Sequence, residues 1–423
     1  MTVPRRGQIV IVGSGIAGVG AAKTLRREGF TGSIVLAGAE RAQPYRRPMV
    51  SKELLSGTAG AERARLEQPA FWADMSIELR TATIATRLDT DAARVEFGDG
   101  SDLAYDAVVL ATGGRAKRLD HLVPEAYTVR QLADLDALRP MLGAAGKVGE
   151  TLSVLVIGGG LIGMEVAAAV RGSGAEVTVL EAADQVLERV LPSAISASYE
   201  RLHRDRGVGV HTGVRLVAAE TRDSVTTVSA EDGRSWRGDV VIVAVGMTPE
   251  TGLAEAAGLT VADGVLVDEY CAASSPAVFA AGDVARFPNE ILGGTERVEH
   301  WNHAQAHGSA AARSVLGHGS PYRDVPWCWT SQFGRTLQIA GWPTRGDELV
   351  VLGDLDGGAF LALSLAQDRL IGALGVGRPK DVRAAQELIG DGAPLPRDLL
   401  GADDLDLVAA AATLRSTGAP AAS

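Results

Sequence analysis

Gln8-Ile9-Val10-Ile11-Val12-Gly13-Ser14-Gly15-Ile16-Ala17-Gly18 decides the fold, because the same pattern returns as Val154-Leu155-Val156-Ile157-Gly158-Gly159-Gly160-Leu161-Ile162-Gly163. Each copy is an apolar strand, a G-x-G-x-x-G turn and the opening of a helix. The first runs on to Ile34-Val35-Leu36-Ala37-Gly38-Ala39-Glu40, the second to Val177-Thr178-Val179-Leu180-Glu181. The acid follows the third glycine by 22 residues in one copy and 18 in the other, near the spacing of roughly 20 expected of a dinucleotide fold. A single glycine run also reads as a structural turn. Two, each with strand, helix and acid in register, imply two dinucleotides bound by one polypeptide.

The glycines have separable duties. Gly13 and Gly158 permit the tight turn, Gly15 and Gly160 let the backbone approach a pyrophosphate, and Gly18 and Gly163 let helix and strand pack closely. Ile16 and Ala17 in one copy, and Leu161 and Ile162 in the other, open helices whose unpaired N–H groups face the anion. Glu40 and Glu181 are placed to accept hydrogen bonds from a ribose diol. Glu181 would also repel a 2′-phosphate, and Ala182-Ala183-Asp184 brings no arginine behind it. NADH is therefore expected over NADPH at the second site.

Composition excludes several classes. At 423 residues with 46% hydrophobic content, the chain is long enough for two or three domains. No apolar run reaches the roughly 20 residues that span a bilayer, and the start, Met1 to Arg6, has no signal-peptide h-region. A net charge of −11 argues against nucleic acid as a partner. The expected setting is cytoplasmic, with no membrane. Use of arginine over lysine (only Lys23, Lys52, Lys117, Lys147 and Lys380) hints at a GC-rich bacterial genome. Cys271 and Cys328 are far apart, without C-x-x-C or C-x4-C spacing. A redox disulfide or a cysteine metal site is thus not expected, and two packed thiols are the better reading. His303 and His307 have a ligand-capable spacing but no evident third ligand, so no metal is expected. Neither G-x-S-x-G nor H-E-x-x-H occurs, so hydrolysis has no support.

Three further strands end in small-residue turns: Tyr105 to Gly114 with Ala111-Thr112-Gly113, Asp239 to Gly246, and Ala277 to Asp283 with Ala281-Gly282-Asp283. With the first glycine turn they resemble the pyridine nucleotide–disulfide oxidoreductase superfamily, flavoproteins with FAD at the first site and NAD(P)H at the second. The resemblance implies that Thr112, Gly113, Gly282 and Asp283 lie along the FAD, Asp283 on its ribityl hydroxyls, and that Gly246 belongs to the NAD site. It implies an α/β fold of two Rossmann-like, three-layer domains with a small α+β C-terminal domain. The bounds are 1–114 with 246–322 for FAD, 115–245 for NAD(H) and 323–415 for the last domain, with 416–423 a disordered tail.

Finer motifs choose a branch. Pro44-Tyr45-Arg46-Arg47-Pro48-Met49-Val50-Ser51-Lys52 resembles a segment of bacterial ferredoxin reductases of the putidaredoxin reductase and rhodocoxin reductase type. Met49 and Val50 stand where that segment has Pro-Leu, which should alter a helix start but not the lysine. Arg47 and Lys52 would then serve FAD, and Lys52 would stabilise negative charge on the reduced ring. Alone, Lys52 reads as a solvated helix residue. Glu165, early in the second glycine helix, is similar to the family's acid that faces the nicotinamide and pairs with that lysine. It reads equally as an acid suited to the helix dipole. Glu299-His300-Trp301 matches an E-x-W segment, placing His300 and Trp301 against the flavin, where an aromatic plane excludes water. Val325-Pro326-Trp327-Cys328-Trp329-Thr330-Ser331-Gln332 matches the opening of the family's C-terminal domain, with Thr330 in place of a serine. Strands are expected there at 326–333, 336–341, 348–352, 359–363 and 370–374, and helices at 379–388 and 403–412.

The resemblance implies an NADH-dependent ferredoxin reductase with Lys52, Glu165 and Trp301 at the reacting centre. It would pass single electrons to an iron–sulfur ferredoxin that serves a cytochrome P450 or a Rieske oxygenase, as a monomer or homodimer. Arg46, Arg47, Arg115, Lys117, Arg118, Arg297 and Arg335 are expected to form a basic docking patch. Two alternatives stay open. One is an NADH oxidase or monodehydroascorbate-reductase-like enzyme, although the oxidases carry a redox cysteine near positions 46–51 and none stands here. The other is an apoptosis-inducing-factor-like, NADH-responsive flavoprotein.

Overall fold

The computed structural model describes residues 6–144, 151–392, 394–396 and 405–416. By contact the chain divides into two compact units. One comprises Met1–Arg46, Ala64–Arg115 and Thr248–Pro326; the other comprises Arg47–Arg63, Ala116–Met247 and Trp327–Ser423.

In the first unit, five parallel strands lie in the order Val278–Ala280, Ala107–Leu110, Gln8–Val12, Ser33–Ala37, Ile77–Arg80. Gln8–Val12 is central and apolar on both faces, as a parallel strand covered on two sides must be. Ile9 and Ile11 pack with Ala21, Leu25 and Ala311 from the helices Ile16–Arg27 and Trp301–Val315. Val10 and Val12 pack on the other face with Leu88, Val95 and Phe97, from the antiparallel meander 85–104. The result is three layers. The chain steps from Gln8–Val12 to Ser33–Ala37 on one side and has Ala107–Leu110 on the other. The strand order thus reverses at the first glycine turn, where open α/β sheets bind ligands.

The second unit repeats the plan with the parallel order Val208–His211, Glu176–Leu180, Ser153–Ile157, Val240–Val243, Tyr127–Thr128. Leu155 and Ile157 pack on Val228 and Ala230 of a three-stranded antiparallel sheet. The same unit holds an antiparallel sheet ordered Trp327–Gln332, Arg335–Gly341, Arg369–Val376, Phe360–Ala366, Glu348–Gly353. All five C-terminal strands form. The helix expected at 379–388 runs over Pro379–Asp391, ended by Gly392 at φ 64°. The last helix begins later than expected, at Leu407, and reaches Ser416. The first five residues and the tail at 417–423 lie outside the described residues, as do the expectations that fall on them.

The segment around Lys52 departs from a regular helix. Arg47–Met49 makes one 3-10 turn, and the Leu54 amide then donates to the Met49 carbonyl at 2.9 Å, five residues back. Hydrogen-bonded turns, not a helix, carry the lysine.

Candidate active site

The two glycine turns separate what the protein needs from what a ligand needs. Gly13 (φ +115°) and Gly158 (φ +106°) lie in backbone space that side chains avoid, and a Cβ there would fall 2.0 Å from the Ala111 carbonyl oxygen or 2.5 Å from that of Ala244. A Cβ on Gly18 or Gly163 would sit 1.9 Å from the carbonyl oxygen of Gly13 or Gly158. These four glycines are demanded by the fold. Gly15 and Gly160 are not: both are extended, and a Cβ on either would meet no protein atom within 4 Å. Each is also the N-cap of its helix, with no capping side chain and no acid in the first turn. The open N–H donors and bare backbone fit a diphosphate.

Several of the other residues expected at the first site lie in the first unit. A Cβ on Gly282 (φ +79°) would come within 2.7 Å of the Ala17 Cβ, so the Gly282-Asp283 turn lies against the start of the helix Ile16–Arg27. Thr112 donates its hydroxyl to the Glu250 carbonyl at 2.8 Å, and the Glu250 amide donates to Gly113 at 2.9 Å. Glu40 accepts a 2.7 Å bond from the Tyr45 hydroxyl. Trp301 is half-buried and begins its helix, with His300 as the N-cap. Two glycines that the motifs did not single out set this arrangement. A Cβ on Gly20 would lie 2.8 Å from the Gln305 carbonyl oxygen, and one on Gly308 would lie 2.0 Å from that of Ala17. The helices Ile16–Arg27 and Trp301–Val315 therefore meet backbone to backbone.

His303 and His307 take part in this packing, and no group of three potential metal ligands occurs among the described residues. Both are fully buried. His307 Nδ1 accepts the Gly282 N–H at 3.3 Å, and its ring stacks on Tyr322 with centroids 4.5 Å apart. His303 Nδ1 lies 3.0 Å from the Tyr322 hydroxyl, which also donates to Asp324 at 3.1 Å. Burial depresses His307 to about 3 and His303 well below the usual imidazole range, the latter helped by His307 and His300. Burial likewise takes His300 to about 4, opposed by the Asp283 charge.

These rings are neutral when folded and bind protons when unfolded. The stability they contribute is fully present above the unfolded imidazole value near 6.5 and is lost as pH falls toward 3 to 4. Each such histidine adds a slope of up to about 1.4 kcal/mol per pH unit. Burial raises the Asp324 carboxyl, which offsets part of the loss at the acid end. Denaturant melts at pH 7, 6 and 5 should show this decline, with His307→Gln flatter by about one proton. A native slope no steeper than the variant's would contradict the assignment of a neutral, buried ring.

In the second unit, Lys52 and Glu165 meet. The Lys52 Nζ lies 2.7 Å from Glu165 Oε2, with side chains 14% and 3% exposed. Lys52 is therefore not a solvated residue, and Glu165 does more than suit a helix dipole. Ser51 Oγ donates to the same carboxylate oxygen at 2.6 Å, and Thr330 Oγ1 donates to Glu165 Oε1 at 2.7 Å. Lys52 Nζ also donates to the Pro48 carbonyl at 3.2 Å. Motif reading missed Ser51 and missed the partnership of Thr330. The signal was alternation: Cys328, Thr330 and Gln332 are the buried positions of one strand, and two of them are polar.

Glu181 accepts the Gly159 N–H at 2.5 Å and the Ala183 N–H at 2.8 Å. Its carboxylate is thus pinned beside the second glycine turn. Arg189, unnoticed in the sequence, brings its guanidinium within 3.7 Å of where a Cβ on Gly246 would stand. Both cysteines are free and buried. Cys328, distant in sequence from either glycine turn, is close enough to feel Glu165 and Lys52, yet burial, then the Glu165 charge, push its thiol up to about 12. Two of the expected docking cations have partners within the protein. Arg297 is 10% exposed and bound by Asp263 and Glu299, and Arg335 lies over the rings of Tyr199 and Phe360.

A family model described as pyridine nucleotide-disulphide oxidoreductase matches residues 7–308, and one described as reductase C-terminal matches 327–411. The chain belongs to the pyridine nucleotide-disulphide oxidoreductase family. Among its relatives, the anthranilate 1,2-dioxygenase system ferredoxin–NAD(+) reductase component of Burkholderia cepacia is 38% identical over 92% of this chain and 96% of its own. Rhodocoxin reductase of Rhodococcus erythropolis is 35% identical over 97% and 95%. The reductase fold in the covalent putidaredoxin reductase–putidaredoxin complex superposes with a TM-score of 0.91 at 34% identity, covering 97% of this oxidoreductase and 99% of that chain. No helix among the described residues is long and apolar enough to cross a membrane.

Proposed function

We propose that this oxidoreductase is an FAD-dependent NADH:ferredoxin reductase, the electron-transfer component of a bacterial, cytoplasmic cytochrome P450 or Rieske oxygenase system. The observation that carries the reading is the buried Lys52–Glu165 pair, set in a chain with two ligand-ready glycine turns and no paired cysteines among its described residues. It is supported by relatives named as ferredoxin–NAD(+) reductase components over almost their whole length.

Gly13, Gly15, Ile16, Ala17 and Gly18 bind the FAD diphosphate, Glu40 its ribose, and Arg47, Thr112, Gly113, Gly282 and Asp283 the rest. Gly158, Gly160, Leu161, Ile162 and Gly163 bind the NADH diphosphate, with Glu181 on the ribose diol and Gly246 beside it. Bound FAD supplies the conversion between two-electron and one-electron transfer. Lys52 holds a fixed positive charge for it, Glu165 orients that charge, and His300 with Trp301 keeps water out. Arg46 and Lys117 are exposed and serve to dock an acidic ferredoxin, with Arg115 and Arg118 exposed beside acids of their own, Glu250 and Asp120. An oxidase reading is disfavoured because Arg46 to Ser51 carries no cysteine and neither buried thiol is activated.

Stopped-flow reduction by NADH and NADPH, then reoxidation by a panel of small iron–sulfur ferredoxins, tests this. NADH should be preferred at least tenfold, about 1.4 kcal/mol, and at least one ferredoxin should outpace oxygen by a hundredfold. Equal reoxidation by oxygen and by every ferredoxin would defeat the proposal. A tenfold preference for NADPH would overturn the role of Glu181 alone.

A further inference from the structure

The Lys52–Glu165 pair is the end of a longer buried chain whose direction can be deduced atom by atom. An ionised carboxylate only accepts, so at the 2.7 Å contact Thr330 must donate its hydroxyl proton to Glu165 Oε1. The Thr330 oxygen is then an acceptor, and it lies 3.0 Å from Gln332 Nε2, which donates to it. The Gln332 amide is thereby oriented with Oε1 away from Thr330, and that oxygen lies 2.8 Å from His203 Nε2. An amide oxygen cannot donate, so His203 Nε2 carries the proton. His203 Nδ1, left unprotonated by that assignment, is buried without a hydrogen-bond partner. Burial depresses this imidazole to about 4, which agrees with a neutral ring. Glu165, Thr330, Gln332 and His203 are all at most 3% exposed, and water has little chance to substitute for a link.

We propose that Thr330, Gln332 and His203 are positioning residues for the reacting pair. The one-way chain of donors, from His203 on the helix Ser193–Asp205 through the strand Trp327–Gln332, fixes the Glu165 carboxylate and so the Lys52 ammonium. Glu165 Oε2 already takes Ser51 and Lys52. Without Thr330, Oε1 is buried and unpaired, the carboxylate turns, and the lysine follows it. The C-terminal strand thus belongs to the reductase's reacting machinery. This inference rests on the proposed roles of Lys52 and Glu165 in reduction by NADH, and one of its tests does not.

Thr330→Val removes the hydroxyl at nearly constant volume, and Thr330→Ser restores it. In the holoenzyme, T330V should slow the limiting rate of reduction by NADH about tenfold with less than a twofold change in NADH affinity, while T330S stays within twofold of the native rate. In an E165Q background, T330V should add less than twofold, since it acts only through Glu165. The independent reading is the tautomer: in 15N-histidine-labelled holoenzyme, the resonance lost in His203→Gln should be a neutral ring protonated at Nε2, becoming a tautomer mixture in T330V. A native Nδ1–H tautomer, a T330S no better than T330V, or full additivity with E165Q would each overturn the proposal. Native protein that NADH does not reduce, but whose His203 is Nε2–H, would sink the functional reading and leave the chain of donors standing.

Discussion

Gly15→Val should give a protein that folds as the native chain does and holds no flavin. A Cβ at Gly15 meets no protein atom within 4 Å and its backbone is extended, so the fold has no quarrel with a side chain there. What a valine occupies is the space through which a diphosphate must reach the N–H groups of the helix Ile16–Arg27. Gly160→Ala should act likewise at the second turn, with NADH affinity down roughly a hundredfold, about 2.7 kcal/mol, and flavin retained. The control is Gly18→Ala. Its Cβ would fall 1.9 Å from the Gly13 carbonyl oxygen, a clash that must shift backbone and costs roughly 3 kcal/mol. Flavin content by visible absorption, NADH titration and denaturant midpoints separate the three. A yellow Gly15→Val with a native spectrum would mean that the flavin's diphosphate does not lie against the first turn, and the assignment of that turn to FAD would fall with it.

The contrast among these glycines also says what a sequence can and cannot disclose. Strand, turn, helix and acid were legible at both copies because each depends on neighbours within a few tens of residues, and the parallel pairing of Gln8–Val12 with Ser33–Ala37 follows. The C-terminal strands were legible for the same local reason. What motif reading left hidden was set by distance in the chain. Thr330 bonds Glu165 across 165 positions, and His203 reaches Gln332 across 129. Gly308 is needed because Ala17 lies against it, which no periodicity states. The local partners of Arg297 and Arg335 were hidden on similar grounds. Charge is visible in the sequence, but the packing that Arg335 does over Tyr199 and Phe360 is not. The pairing of Lys52 with Glu165, 113 positions apart, was open to resemblance but not to spacing.

Lys52→Met should cost the enzyme rate and stability by different routes, and the two can be separated. The lost charge should slow reduction by NADH by about 10²- to 10³-fold, the range for removing one preorganised electrostatic partner of a reacting group. Independently, Glu165 would be left buried at 3% exposure with its countercharge gone. Removing one partner of a buried ion pair costs about 3 kcal/mol, here toward the low end because Ser51 and Thr330 still donate to the carboxylate. Adding Glu165→Gln removes the stranded charge, so K52M/E165Q should regain most of the lost stability and none of the lost rate. Glu165→Gln alone should keep a cation but loosen its hold, slowing reduction about tenfold. If K52M unfolds earlier yet reduces at the native rate, the pair is structural and another group must oppose the charge that reduction brings. If K52M loses rate at unchanged stability, water reaches Glu165 more freely than its burial implies, while the electrostatic role of the lysine stands.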